Sequence, residues 1–472
     1  MGFPGAFLRK HFDGDGGINA LLPLALPMVI VQSFDTVMMF VGRLFMGQLG
    51  PEYIAASMSG GLTSFLVSTF FLGLVNYVGT LTAHAWGAKR GKDCPRIIGQ
   101  GILLGLLAWP LILGFSFLVV RLFTATGHDP AQVREETRYF WILVIGSIFT
   151  LLRSALAGFF VGISRPRIIV WANLAALVTT VGLSWLLIFG KWGCPELKTT
   201  GGALAVVAGS AAMCAVLAGA FWWELRKPEF AGVRFSLRPD LAILRRLFRF
   251  GGPSGIEFFL NLAAFTLVVA LLHGYGKETA AAVSIVFSWD LVSFIPMIGV
   301  QIGVMTLVGQ YMGANHPAAA ERATYSGLKL VFSYATVMMI IFLSLPHLLV
   351  GVFIPNDSHL DYSRVAPEAE AMLKFMVLYL FSDGMSLVFS GGLRGAGDTA
   401  WTMAASITIH WVMALLVWLS VKVLVLPPLA TWLIFVAVVM TMGLLFMFRF
   451  RHGAWKSIRV LGDALDHPGG VA

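Results

Sequence analysis

Long apolar runs separated by short polar segments are the dominant pattern of this chain. A run of about 20 apolar residues is long enough to cross the hydrocarbon core of a bilayer as an α-helix. Such runs recur through most of the sequence, in two successive series of six. The pattern predicts about twelve transmembrane helices, near residues 18–43, 55–82, 95–122, 138–161, 167–190, 201–224, 251–274, 281–311, 325–352, 370–392, 400–423 and 428–449.

The composition leads to the same class of protein. Hydrophobic residues make up 58% of the chain and charged residues 12%, with a mean hydropathy of +0.82. Ordinary globular chains carry about 25% charged residues, so we predict an all-α polytopic membrane protein. Arg9 and Lys10 precede an apolar run that is too long for a secretory signal and lacks a small-residue cleavage site. We therefore expect the first helix to stay in the mature protein.

The net charge of +9 reflects membrane topology rather than a nucleic-acid partner. The basic residues form no continuous cluster but recur in alternate loops, which is the pattern of cytoplasmic loops in membrane proteins. We expect a multi-pass protein of the plasma (inner) membrane with both termini in the cytoplasm, and we expect a monomer. The predicted cytoplasmic basic positions lie at 9–10, 89–96, 165–167, 226–249, Arg322, Arg394 and 449–459.

The two halves of the chain repeat each other. Pro27 aligns with Pro253, and the segment AHAWGAKR at 83–90 aligns at the same offset with GQYMGANH at 309–316. A third pair of glycine-containing segments follows in the same order. Each half holds an even number of helices, so both enter the membrane in the same sense. We predict two six-helix lobes related by a pseudo-two-fold axis along the membrane normal, as in many transporters.

The predicted boundaries follow from this repeat. One lobe covers residues 1–224 and the other 251–450, with a cytoplasmic linker at 225–250 and a cytoplasmic tail at 451–472. The end of the linker, PDLAILRRLFRF, alternates apolar residues with arginine at helical spacing, which is typical of an interfacial helix. A plain cytoplasmic connection is the alternative.

Four carboxylates fall inside predicted spans: Asp35, Glu257, Asp290 and Asp383. A charge in the bilayer is costly unless it faces water, a counter-ion or a proton. A carboxylate can exchange a proton or Na⁺ for a cationic substrate, so all four are candidate coupling or substrate-binding residues. Glu257, Asp383 and Asp35 are candidate Na⁺ ligands. A carboxylate that is hydrogen-bonded for helix packing is the alternative for each.

Three amide side chains accompany these acids. Gln32 lies three residues before Asp35, on the same helical face, and Asn173 falls within the fifth predicted helix. Asn261 occupies the repeat position of Asp35, one turn after Glu257. We consider the three amides as candidate neighbours of a bound cation, with inter-helix hydrogen bonding as the alternative.

Pro27 and Pro253 lie inside their predicted spans and are candidate hinges, because a proline frees a backbone carbonyl and allows a kink. Prolines are also common in membrane helices without such a role. The sequence has no phosphate-binding glycine loop, no His-x-x-x-His metal pair and no Gly-x-Ser-x-Gly elbow. We therefore predict no enzyme and no cofactor, with an H⁺ or Na⁺ gradient as the energy source.

Several motifs together resemble the multidrug and toxic compound extrusion (MATE) transporters, over roughly residues 20 to 450. The resemblance rests on QSFDT in the first helix followed by VGRL, the paired loops AHAWGAKR and GQYMGANH, GISRP after the fourth helix, GGALAVVAG in the sixth and LRGAGDT after the tenth. It implies a twelve-helix, two-lobe exporter that exchanges H⁺ or Na⁺ for organic, often cationic, compounds.

The resemblance also assigns positions. Asp35 matches the amino-lobe acid of the family, Asn173 its helix-5 partner, and Asp383 the acid in helix 10 of many bacterial members. The chain departs at Asn261, where many relatives have glutamate, and Glu257 one turn earlier is a candidate substitute. This departure shifts the expected coupling toward Asp35.

A drug exporter driven by an ion gradient is thus the predicted function, with small drug-like molecules, H⁺ or Na⁺ and the lipid bilayer as partners. A flippase of lipid-linked sugars is one alternative. It needs several cations to meet a pyrophosphate, and Arg153 is the intramembrane cation that stands out. A membrane scaffold or receptor without transport is another alternative, although it has no need of repeated lobes with buried acids.

Overall fold

Long α-helices follow one another through the whole described chain. A computed structural model of the protein describes residues 14–125, 130–230, 235–353 and 362–461. Twelve helices in these ranges are long and apolar enough to cross a membrane, which confirms the predicted all-α polytopic fold. In chain order they are α1 Ile18–Leu49, α2 Pro51–Gly87, α3 Cys94–Ala125, α4 Pro130–Gly162, α5 Arg167–Ile188, α6 Lys198–Glu224, α7 Gly252–His273, α8 Lys277–Gly313, α9 Pro317–Ser344, α10 Tyr362–Ala396, α11 Thr399–Trp418 and α12 Pro428–His452.

Most of these helices extend beyond the predicted apolar spans, because polar turns continue the helix outside the hydrocarbon. The ninth helix is instead displaced as a whole, since it was predicted near 325–352 and α9 begins at Pro317. Proline suits the first helical position, where its missing N–H group is not needed. A second proline, Pro346, disfavours helical backbone in the residue before it and starts a separate short helix, Pro346–Gly351.

The end of the predicted linker runs directly into α7. A short helix, Leu241–Arg246, begins after Asp240, whose carboxylate accepts two backbone N–H hydrogen bonds of the first turn at 3.1 and 3.3 Å. A π-helical turn, Leu247–Gly251, joins it to α7. Pro253 accounts for the wide turn, because it has no N–H group for the carbonyl one turn earlier. Residues 241–273 therefore form one continuous membrane-length helix.

The chain divides into two compact units. The amino unit consists mainly of Ile30–Ile256 and Gly309–Asn315, and the carboxy unit consists of the residues up to Val29, Glu257–Val308 and His316–Ile458. As a consequence, α1 begins in the carboxy unit and ends in the amino unit, whereas α7 does the reverse. The boundary between the two units falls just after Pro27 in α1 and just after Pro253 in α7. These are the two prolines that the repeat aligns.

Small residues let helices approach closely within each unit. In the amino unit, a Cβ atom added to Gly79 of α2 would lie 3.2 Å from the Cα atom of Gly158 in α4. In the carboxy unit, a Cβ atom added to Gly303 of α8 would lie 3.1 Å from the Cα atom of Ala25 in α1. Close packing of this kind drives helix association in lipid, where the hydrophobic effect between helices is absent. It holds in place the helices that carry the intramembrane polar side chains.

Candidate functional site

Asp35 lies on α1 in the amino unit, next to Asn173 of α5. Asn173 is fully buried, and its amide nitrogen donates to the backbone carbonyl of Val31 at 2.9 Å and to Asp35 Oδ1 at 3.4 Å. Asp35 itself is only half-buried. The structure thus brings together the acid and the helix-5 amide that the resemblance paired. Because the bond to Asp35 is long, Asn173 orients the carboxylate and leaves it free to bind another group.

Further oxygen atoms lie close to Asp35 along α1 and α5. The Oδ1 atom of Asn173 is buried and has no hydrogen-bond partner. Gln32 is half-buried one turn before Asp35, and its backbone carbonyl accepts a hydrogen bond from the Thr36 hydroxyl at 3.0 Å. Carboxylate and amide oxygens are ligands that a hard cation accepts. The predicted group of Asp35, Gln32 and Asn173 therefore offers acceptors for a cation.

Arg153 of α4 belongs to the same unit, and its charge attracts that of Asp35. The two side chains form no direct ion pair within the described part of the chain. Instead, Arg153 Nη1 lies 3.2 Å from the sulfur of Met213 in α6, and the buried Nε atom has no partner. Sequence reasoning connected Arg153 only with the flippase alternative. Its nearness to Asp35 depends on how α1 and α4 pack, and the only sequence signal was an arginine inside an apolar span.

In the carboxy unit, Asp290 of α8 and Asp383 of α10 share one cluster. Tyr379, one turn before Asp383, donates its hydroxyl to Asp290 Oδ1 at 3.0 Å. The charges of the two acids act on each other and on Tyr379. Sequence reasoning missed Tyr379, although its position four residues before an intramembrane aspartate places both on one helix face. Two carboxylates around one hydroxyl form an oxygen-rich cluster that suits a proton or a cation.

Glu257 of α7 forms an ion pair at a different place in the carboxy unit. It is 3% exposed and pairs with Arg394 Nη2 at 2.5 Å. The prediction that Arg394 lies in the loop after the tenth helix was wrong, because α10 continues to Ala396 and holds Arg394 in its last turn. A buried carboxylate with a cationic partner is already neutralised. Glu257 is therefore the least suited of the three predicted Na⁺ ligands.

Asn261 lies one turn after Glu257 and contacts α11. Its amide nitrogen donates to the Ser406 hydroxyl at 2.8 Å, and its buried Oδ1 atom has no partner. His410 of α11 bonds to the Ser406 carbonyl at 2.8 Å and lies within electrostatic range of Glu257. Among the described residues, no hydrogen bond joins Glu257 or Asn261 to the aspartates of α8 and α10. The predicted carboxy-lobe residues therefore form two separate groups.

Two groups of oxygen atoms in the described structure are candidates for a bound cation. Within the described ranges, no group of three or more His, Cys, Asp or Glu side chains is arranged to hold a metal ion. Na⁺ takes oxygen ligands, which are available in the Asp290–Tyr379–Asp383 cluster and around Asp35. These two places are the candidates for an ion.

Two predicted hinge prolines lie inside membrane-length helices, Pro27 in Ile18–Leu49 and Pro253 in Leu241–His273. Each removes one backbone hydrogen bond from its helix. Each also precedes by a few residues the point at which its helix passes from one unit to the other. This symmetric position is where a helix could bend.

The fold and its intramembrane acids define a multi-pass membrane transporter rather than an enzyme. The MatE family model matches residues 27–186 and 253–419, one segment in each half of the chain. The chain belongs to the MatE family, and the resemblance seen in the sequence is confirmed.

Relatives of known name and structure agree with this family. The probable multidrug resistance protein NorM of Rhodopseudomonas palustris is 28% identical over 397 residues, which cover 83% of this chain and 82% of that protein. The multidrug resistance protein NorM of Burkholderia vietnamiensis is 26% identical over 392 residues, which cover 82% and 83%. A multidrug resistance MATE family transporter in an outward-facing conformation shares the fold with a TM-score of 0.84 at 18% identity, over 95% of this chain and 98% of that one.

Proposed function

We propose that this chain is a secondary active multidrug efflux transporter of the inner membrane, with both termini in the cytoplasm. It exchanges H⁺ or Na⁺ for small organic, often cationic, compounds by alternating access. The names of the NorM relatives support drug efflux, at 28% and 26% identity over about four-fifths of the chain. The intramembrane acids of the two units support ion coupling.

The state of Asp35 is the single observation that carries the proposal. It is a half-buried carboxylate inside a membrane helix, with one hydrogen bond of 3.4 Å from Asn173 and no direct ion pair in the described structure. Such a group binds either the coupling ion or the cationic group of a drug, and binding of one displaces the other. Coupling arises because the two ligands prefer different conformations, since a ligand with equal affinity for both shifts nothing.

We propose that Pro27 and Pro253 act as hinges. Each lies just before the point where α1 or α7 changes unit, so a bend there would move one part of the helix with each unit. A helix that lacks one backbone hydrogen bond bends at a smaller free-energy cost. Both prolines therefore support a change of conformation that carries Asp35 with the amino unit.

A second ion position is proposed at Asp290 and Asp383. Tyr379 holds Asp290 at 3.0 Å, and the repulsion between the two acids is relieved when a proton or Na⁺ joins them. The carboxylate and hydroxyl oxygens of this cluster accept either ion. Glu257 is left out of this position because Arg394 neutralises it.

The proposal is tested by export of tetraphenylphosphonium from proteoliposomes under separately imposed H⁺ and Na⁺ gradients. We expect export by the natural protein under at least one gradient, which also identifies the ion. For Asp35→Asn we expect gradient-driven export to fall by at least about tenfold, because the ion and the drug no longer compete for one charge. Asp93→Asn removes an acid of the same unit outside the site and serves as the control.

Two outcomes would contradict the proposal at different levels. Undiminished gradient-driven export by Asp35→Asn excludes Asp35 as the coupling residue. Export that ignores both gradients excludes secondary transport itself. A scaffold or receptor is excluded by any gradient-driven export.

The flippase alternative is less well supported by the arginines of the membrane helices. Arg394 is paired with Glu257 and Arg449 with Asp398, at 2.5 and 2.8 Å. Of the three arginines Arg153, Arg394 and Arg449, Arg153 is the one without a carboxylate partner in the described structure, so it is the one that could meet a pyrophosphate. A single guanidinium is a poor match for the two phosphates of a pyrophosphate, whereas partly exposed acidic side chains suit a cationic substrate.

A further inference from the structure

Arg153 has a guanidinium group that the protein itself satisfies poorly. It lies in the second half of α4, nine residues before the helix ends and inside a span of membrane length. Its Nη1 atom contacts a thioether sulfur, Met213 Sδ, at 3.2 Å, and its Nε atom is buried without a partner. A thioether is a weak acceptor, so the group keeps most of its capacity to donate. An arginine in this state within a membrane helix indicates an acceptor that comes from outside the chain.

Two other arginines of membrane helices differ from Arg153 because each has a carboxylate partner. Arg394 and Arg449 each reach a carboxylate, in Glu257 and Asp398. Arg153 has the carboxylate of Asp35 in electrostatic range but forms no direct ion pair with it, as far as the described residues show. The two charges therefore attract each other across a gap, and both side chains are half-buried.

A ligand that carries a positive and a negative group fits this pair of charges. Its cationic group would replace the coupling ion at Asp35, and its anionic group would receive N–H donors from Arg153. A guanidinium matches the two oxygens of a carboxylate with parallel hydrogen bonds. A guanidinium that lacks a carboxylate partner, within electrostatic range of Asp35, would conversely disfavour a ligand that carries positive charge alone.

We propose that Arg153 determines substrate specificity by binding the carboxylate of zwitterionic substrates whose cationic group contacts Asp35. This inference rests on the proposed drug-export function and adds the chemical class of substrate that the amino-unit site prefers. Met213 supports the guanidinium from the side of α6.

The test compares two dyes that differ by one methyl ester. Rhodamine 110 carries a free carboxylate and rhodamine 123 is its methyl ester, so the ring system and the positive charge are the same. Binding to the full-length protein in lipid nanodiscs is measured by fluorescence anisotropy, and export is measured in proteoliposomes. For Arg153→Gln we expect the affinity for rhodamine 110 to fall by at least about tenfold, as for a lost hydrogen bond to a charged group. Rhodamine 123 should bind equally well or more tightly.

Two variants control for charge and folding. Arg153→Lys keeps the charge but loses the fork geometry, so it should restore part of the rhodamine 110 affinity. Arg43→Gln removes an exposed arginine from α1 of the same unit and should leave both dyes unchanged. Melting temperatures of the purified variants show whether each variant folds. If Arg153→Gln does not fold, the test relies on Arg153→Lys, which should then weaken the binding of rhodamine 110 but not of rhodamine 123.

The outcomes distinguish this inference from the proposed function. An equal loss for both dyes overturns the inference and makes Arg153 a counter-ion that positions Asp35. Export of both dyes by Arg153→Gln at the natural rates overturns it as well. If the natural protein exports tetraphenylphosphonium under a gradient but binds neither dye, this inference fails while the proposed function stands. If it exports neither tetraphenylphosphonium nor the dyes under either gradient, the proposed function itself fails.

Discussion

The amino and carboxy units carry acids of the same type in different states. Asp35 is half-buried and, among the described residues, has one long hydrogen bond and a cation, Arg153, that acts on it electrostatically without a direct ion pair. Glu257 is instead paired through its Oε1 atom with Arg394, although its buried Oε2 atom has no hydrogen-bond partner among the described residues. The difference shows that an intramembrane carboxylate indicates transport only when its charge is left uncompensated, because a compensated one contributes to helix packing instead.

The aspartates of α8 and α10 are intermediate between Asp35 and Glu257 in how far their charge is compensated. Asp290 accepts a hydrogen bond from Tyr379, but each aspartate also faces the negative charge of the other. In the described structure, no cation is recorded beside this cluster, so the two aspartates would gain from an added cation. The two units thus resemble each other at these sites and differ at Glu257.

The largest effect is expected from breaking the Glu257–Arg394 pair. Arg394→Met leaves a carboxylate that is 3% exposed without its cation, which costs about 3–5 kcal/mol of stability. We expect a clear fall in the melting temperature of the purified protein, followed by intrinsic tryptophan fluorescence. Asp35→Asn, the matched loss of a charge in the amino unit, should leave the melting temperature nearly unchanged.

A double variant tests whether the cost comes from the unpaired charge. Glu257→Gln combined with Arg394→Met removes both charges and should recover most of the lost stability. If Arg394→Met melts like the natural protein, Glu257 has another partner and returns as a candidate ion ligand.

A smaller effect is expected from Tyr379→Phe. The change removes the hydroxyl that donates to Asp290 Oδ1 at 3.0 Å and leaves the repulsion between the two aspartates unrelieved. We expect a loss of about 1.5–3 kcal/mol in denaturant titrations, since a hydrogen bond to a charged group is lost. Adding Na⁺ or lowering the pH should recover part of this loss, because either ion relieves the repulsion.

Asp383→Asn in the Tyr379→Phe background provides the control for that experiment. With one acid neutralised, the same loss of the hydroxyl should cost less than it does when both acids are present. Equal costs in both backgrounds would show that the aspartates do not interact, and the second ion position would then have no support.

The sequence predicted the helices far better than the pairing of their polar groups. Apolar runs of membrane length identified all twelve helices, because the bilayer imposes one length and one composition on every span. Helix ends were less predictable, since the polar first turns of α4 and α10 lie outside the apolar runs. Arg394 looked like a loop cation because the last turn of α10 also lies outside the predicted apolar run.

The candidate site was predictable only in part. The resemblance paired Asp35 with Asn173, and the structure places them in hydrogen-bond contact. The contacts of Arg153 with Met213 and of Glu257 with Arg394 join residues far apart in the chain. They follow from the rotation and depth of packed helices, which the hydrophobic pattern does not specify.

The smallest effect, and the finest comparison of the two units, is expected from a pair of amide replacements. Asn173→Leu removes the donor shared by Val31 and Asp35, and Asn261→Leu removes the donor to Ser406. Each should cost about 1 kcal/mol of stability, the usual value of a hydrogen bond between membrane helices. Drug export should nevertheless fall only in Asn173→Leu, because only that amide orients the proposed coupling carboxylate. A comparable fall in both variants would show that Asn261 also belongs to the transport site, so the two units would be functionally equivalent despite the charge difference between Asp35 and its repeat counterpart.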